Sequence, residues 1–216
     1  EIGTGDWSSD VCSSDLRRFK LSSPPHKANV RRWSLLGRLN RGLFGLLGNP
    51  AGELPALYSH LNQLQALRAG CLLATLALGS FTLGGYVLQI APAEIPTNIA
   101  LGSLWLSGCA TFLSLILMLT ISRLLLRRRG SWASDTFIAG ATLLPIGVLV
   151  LVTPVAIVLP WLWLLLLTMA VHHTFITLYS GCHTIQHYSK VAATWLTPSI
   201  LFVCLSVGYI VLQFFI

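Results

Sequence analysis

The side chains of this chain that could do chemistry crowd into one segment, running His172-His173-Thr174-Phe175-Ile176-Thr177-Leu178-Tyr179-Ser180-Gly181-Cys182-His183-Thr184-Ile185-Gln186-His187. At helical spacing His173, Thr177, Ser180, Thr184 and His187 fall on one stripe. Imidazoles and hydroxyls in an apolar helix have two physical uses. They can hydrogen-bond to neighbouring helices and fix the geometry of a bundle, because a polar group left unpaired in hydrocarbon is strongly unfavourable. Alternatively His183 and His187, one turn apart, could hold a metal or haem together with Cys182. No Asp or Glu lies close in sequence to orient such ligands, so the interhelical use is preferred and no metal or cofactor is expected.

Other chemistry lacks its parts. Glu94 and Asp135 are the only acids after Glu53, and they are expected on opposite faces of a membrane. A carboxylate pair for general acid–base work is therefore not expected. No Gly-x-Ser-x-Gly elbow, phosphate-binding loop or dinucleotide fingerprint occurs. The cysteines Cys71, Cys109, Cys182 and Cys204 show no Cys-x-x-Cys spacing and lie in or beside apolar runs, where they read as small packing residues. These features exclude the common enzyme classes and leave a non-enzymatic protein as the expectation.

The elements that must position the stripe are membrane helices. Hydrophobic residues make up 54% of the 216, charged residues 10%, and mean hydropathy is +0.73, values outside the range of soluble domains. From Ala69 to the end only Glu94, Arg123, Arg127, Arg128, Arg129, Asp135 and Lys190 are charged. Five spans are predicted, about 69–91, 99–121, 135–153, 159–179 and 194–216, making an all-α bundle. The stretch from Phe137 to Val171 is too long for one crossing, and Pro154 and Pro160 supply the turn that divides it.

Charge sets the expected orientation. Nine of the 14 Lys and Arg residues lie in 17–68, and Arg123, Arg127, Arg128, Arg129 and Lys190 fall on the same side in a five-span count. The positive-inside rule then puts the N-terminus in the cytoplasm, with a bacterial plasma membrane as the expected location. Such a basic face suits anionic lipid headgroups rather than nucleic acid. Within 17–68, Trp33, Leu36, Leu43 and Leu47 suggest an interfacial helix, with a disordered basic arm as the alternative because Gly37, Gly42 and Gly45 disfavour helix, and a second helix is predicted over Pro55–Arg68. Small residues one turn apart, Ser80 with Gly84 and Ser103, Ser107 and Thr111, mark helix-packing faces. These could join two copies or a membrane-protein partner, but packing within the bundle is preferred.

The first sixteen residues stand apart. Asp6 to Leu16, DWSSDVCSSDL, reads as an in-frame translation of a short-read sequencing adapter, so residues 1–16 are expected to be foreign to the protein and the natural start to be missing.

The order of parts resembles the Yip family, named for interaction with Ypt/Rab GTPases, and in particular its compact prokaryotic members. The resemblance covers about 43–216. It rests on Leu47-Gly48-Asn49-Pro50 before a short helix, closely spaced spans of which the fourth starts with tryptophan, and the polar exit Ser189-Lys190-Val191-Ala192. It implies a five-helix membrane protein that acts as a scaffold or interaction protein. Rab binding, which belongs to a long cytosolic region of the eukaryotic relatives, is not implied here. The alternative function is a transporter or channel component using the polar stripe as a path.

Overall fold

A computed structural model of the chain describes residues 45–46, 48–90, 101–128, 130–156 and 159–214. The adapter-like segment, the proposed interfacial helix from Trp33, the loop around Glu94, and Arg129 lie outside these residues. The described elements are helices: α1 (Pro50–Ser59), α2 (Gln63–Ile90), α3 (Leu101–Leu125), α4 (Trp132–Ala156), α5 (Pro160–Ser180), which runs on into a wide π turn (Gly181–Ile185), and α6 (Lys190–Gln213). Five of them, α2 to α6, carry apolar stretches of 23 to 26 residues. At 1.5 Å per residue that is about 35–39 Å, enough for a hydrocarbon core of about 30 Å. The chain is an all-α integral membrane protein with five helices long and apolar enough to cross.

The prolines divide the long apolar run as expected, with α4 ending at Ala156 and α5 opening on Pro160. Several boundaries differ from the sequence reading. The helix predicted over Pro55–Arg68 is in fact α1, which starts earlier because Asn49 caps it: the Asn49 side chain accepts from the Gly52 N–H at 3.2 Å, and Pro50 occupies the first turn, where its missing N–H costs nothing. A break at His60–Asn62 follows. Gln65 then reaches back to the Asn62 N–H at 3.1 Å and opens α2 at Gln63, so Arg68 belongs to the first long helix rather than preceding it. Likewise Ser189 accepts from the Ala192 N–H at 3.2 Å and starts α6 at Lys190, ahead of the predicted Thr194.

Helix α4 is the centre of the bundle: 56% of its most apolar stretch is buried, against 17–28% for the other four. Its tightest partner is α2, and small residues make the approach possible. Gly70, Ala77 and Gly84 recur every seventh residue on α2 and meet Gly140 and Gly147, also seven apart, on α4. A Cβ on Gly140 would stand 2.2 Å from the Gly70 carbonyl oxygen, and one on Gly84 2.2 Å from that of Val150. Gly70 lies against Thr136–Phe137 and Gly84 against Val150–Leu151, so the two helices run parallel. Lipid supplies no hydrophobic force between helices, so such backbone contact has to hold them together.

The packing residues picked from sequence are used within the chain. Gly84 joins the α2–α4 contact, and Ser80 one turn earlier is half-buried. Ser103 and Ser107 are buried, and the Ser107 hydroxyl donates to the Gly208 carbonyl on α6 at 2.7 Å. Thr111 closes the same contact, since a Cβ on Gly208 would strike its Oγ1 at 2.1 Å.

Helix α1 seals one end of the bundle. Leu54 is fully buried and the Tyr58 ring packs on Phe137 with centroids 5.6 Å apart. Pro55 lacks the N–H that would bond the Ala51 carbonyl, and the Ser180 hydroxyl donates to that carbonyl instead at 3.2 Å.

Candidate functional site

The polar stripe does not survive as one face. The reason is the π turn at Gly181–Ile185, which winds more widely than an α-helix and shifts the register of everything after Ser180. Ahead of the turn, His173 lies half-buried with Nδ1 hydrogen-bonded to the Met169 carbonyl at 3.1 Å, and the buried Thr177 donates to the His173 carbonyl at 2.7 Å. Ser180 is buried and bonded to α1. Thr184, within the turn, and His187, beyond it, are exposed; the Thr184 hydroxyl donates to the Ser180 carbonyl, and His187 adopts a left-handed backbone with φ of 55°. The stripe therefore splits between interior and surface and forms no continuous path.

The possible ligand trio does not assemble either. Cys182 is fully buried, His187 is exposed, and His183 Nδ1 bonds the Tyr188 carbonyl at 2.9 Å. Among the described residues no three His, Cys, Asp or Glu side chains come together.

The same turn brings a different set of side chains inward. Gln186 and Tyr188 are buried, and Gln186 Nε2 donates to Asp135 Oδ1 at 2.7 Å. Asp135, fully buried in the first turn of α4, takes three further donors on Oδ2: Thr120 Oγ1 at 2.9 Å, Arg123 Nε at 3.3 Å and Arg123 Nη2 at 3.1 Å. Arg123 completes its fork by donating from Nη1 to the Gly130 carbonyl at 3.0 Å. Each charge also suits its place. The carboxylate sits at a helix N-terminus and the guanidinium in the last turn of α3, where the helix dipoles favour those signs. Ser131 and Ser134 exchange bonds between each other's N–H and hydroxyl at 3.2 and 3.3 Å, fixing the start of α4 beneath the pair.

The structure adds a role for Arg123. Read from sequence as one of the arginines that set topology, it is buried, and its charge is neutralised by Asp135. Arg127 and Arg128 remain exposed. The pairing had a sequence signal that went unread: an arginine closing one span and an aspartate opening the next, joined by a short turn. Thr120, Gln186 and Tyr188 had none; for Gln186 and Tyr188 the inward direction depends on the π turn.

No family model, curated protein or solved structure matches this chain. What the centre does follows from its own chemistry. Its charges cancel, Asp135 is saturated, and the group ties α3, α4 and the α5–α6 connection together at one end of the bundle. Two buried atoms there have no protein partner, Gln186 Oε1 and the Tyr188 hydroxyl.

Burial holds the Tyr188 hydroxyl protonated above its ordinary value of 10.0, with Cys182 and Asp135 reinforcing the shift and Arg123 and Arg128 opposing it. The folded state thus keeps this proton at pH values where the unfolded chain releases it. The stabilisation is whole below about pH 10 and declines as pH rises beyond it. Tyr188→Phe is expected to leave the melting temperature at neutral pH unchanged or raised, since an unpaired buried hydroxyl is removed. The same variant should flatten the alkaline decline in thermal melts of the detergent-solubilised protein.

Proposed function

We propose that the protein is a non-enzymatic membrane scaffold, Yip-like in its arrangement, that engages lipids and partner proteins through a basic cytoplasmic face in a bacterial plasma membrane. One observation carries this reading. Every exposed cation among the described residues, Arg68, Arg127, Arg128 and Lys190, gathers at one end of the bundle, whereas the buried Arg123–Asp135 pair is closed upon itself. The asymmetry supports a cytoplasmic placement of that end under the positive-inside rule. Exposed Trp132 and Trp195 near the basic end and Trp161 near the other suit the two interfaces. The Asn49-Pro50 and Ser189-Lys190 elements behind the Yip resemblance act here as helix N-caps, a use open to any helix, so they support the arrangement more than the lineage.

In a cysteine-free background, Leu159→Cys is expected to react with an impermeant maleimide on intact cells, and Arg128→Cys only after permeabilisation. The reverse pattern overturns the orientation, and labelling of both from outside overturns the five crossings. Reconstituted into vesicles, the protein should pass no more ion or solute than empty vesicles. Flux abolished by His173→Ala or His187→Ala would favour the transporter alternative and overturn the scaffold.

A further inference from the structure

Helices α5 and α6 touch little along their length, and a lateral crevice of about 710 Å³ opens between them. Its α5 wall runs from Leu167 past Val171 and Phe175 to Tyr179, and its α6 wall is Thr194 and Thr197. From Leu167 to Tyr179 the wall rises about 18 Å, close to the roughly 15 Å depth of one leaflet. The volume falls within the range of about 300–1,000 Å³ usual for ligand sites. The Tyr179 and Thr194 end lies at the basic end of the bundle. There Lys190 precedes Thr194 by one turn and Thr197 by two on the same face of α6, and it is exposed, while the Thr194 hydroxyl donates to the Lys190 carbonyl at 2.8 Å. The acids described at this end give Lys190 no ion pair: Asp135 is taken by Arg123, and Glu53 packs against Gly45 on the segment before α1.

We infer that this crevice is a binding site for one anionic glycerophospholipid, with an acyl chain laid along Leu167–Tyr179 and the phosphate drawn to Lys190. Depth selects a chain confined to one leaflet. The cation at the mouth selects a negative headgroup, and the tyrosine at the rim suits the interface between the two. A second copy of the protein would bring its own Lys190 toward the first and would place no anion at the mouth. The inference deepens the reading of the basic end as a lipid-facing surface and rests on it. Reversed maleimide labelling with lipid selectivity intact would sink the orientation and leave this site standing.

The test extracts the full chain from vesicles of equal phosphatidylglycerol and phosphatidylcholine and counts the retained lipid by native mass spectrometry. Wild type should retain phosphatidylglycerol about fivefold over phosphatidylcholine, the factor that roughly 1 kcal/mol per surface lysine amounts to. Lys190→Gln, which removes the charge, should bring the two to parity. Val171→Trp, at an exposed position on the crevice wall, should lower retention of both lipids severalfold with Lys190 in place, and Thr194→Trp should do the same if the first variant folds poorly. Parity in wild type, unchanged retention in both wall variants, or a dimer that the wall variants dissociate would each overturn the proposal.

Discussion

Asp135→Leu is expected to destabilise the protein by about 3–5 kcal/mol, the cost of leaving a buried partner charge uncompensated. The leucine removes the acceptor of four donors at once. Arg123, almost fully buried, would then keep its charge with only the Gly130 carbonyl beside it, and Thr120 and Gln186 would lose their bonds. Arg123→Met alone should cost a similar amount, because it strands the carboxylate. Arg123→Met combined with Asp135→Leu should recover most of the loss, since replacing both charges by apolar groups of similar volume is near neutral. Thermal unfolding in detergent, read by elution of monodisperse protein, checks all three. If the single and double variants melt alike, the pair holds nothing together and the clasp at the basic end is misassigned. An intermediate outcome is informative too. Any gap between the double variant and wild type measures what Thr120 and Gln186 contribute once both charges are gone.

This pair also shows where sequence reading stopped. Apolar length and two prolines were enough to place five helices, because hydrocarbon thickness is a hard constraint and a proline's missing N–H cannot be hidden. Charge was read by a topological rule that treats each Lys or Arg as a free cation. Arg123 obeys that rule in position and breaks it in environment. The stripe from His173 to His187 failed for a different reason: a spacing argument assumes 3.6 residues per turn, and the five-residue π turn spends its residues at another pitch. Gln186 and Tyr188 thereby replace Thr184 and His187 as the inward groups. Nothing local in Gly181-Cys182-His183-Thr184-Ile185 announces the turn. Packing selects it, with Gly181 admitting Ile138, whose side chain would lie 2.7 Å from an added Cβ.

Prolines do more than end helices here. Pro55 frees the Ala51 carbonyl and Ser180 takes it up, which docks α1 on α5. Pro154 frees the Val150 carbonyl by the same geometry, and it is this oxygen that faces Gly84. A carbonyl without its N–H donor in a lipid-facing bundle has to find other positive character, and a glycine Cα–H brought close is one source. The small residue on one helix and the proline on the next thus form one device. Ser80 and Gly84, chosen for four-residue spacing, touch only its edge. The governing period is seven, set by two parallel helices that keep the same faces together over three turns and more.

Glycine substitutions along that seam should separate sharply from those outside it. Gly140→Ala places a methyl 2.2 Å from the Gly70 carbonyl oxygen and 3.2 Å from the Ala74 nitrogen, both backbone atoms that cannot rotate away. Helix α2 must then withdraw along its length, an overpacking cost of about 1–3 kcal/mol. Gly140→Leu should prevent recovery of folded protein. Gly79→Ala lies on α2, one position before Ser80, where an added Cβ meets nothing within 4 Å. Removing that glycine's backbone freedom should be neutral or stabilising by up to about 1 kcal/mol. Gly70→Ala and Gly140→Ala face each other, so the double variant should cost less than the two singles added, because one withdrawal of α2 relieves both clashes. Melting curves of the four alanine variants, the double included, decide the matter. Equal effects at Gly140 and Gly79 would mean that helix propensity, not backbone contact, sets stability, and the central role of the α2–α4 pair would fall.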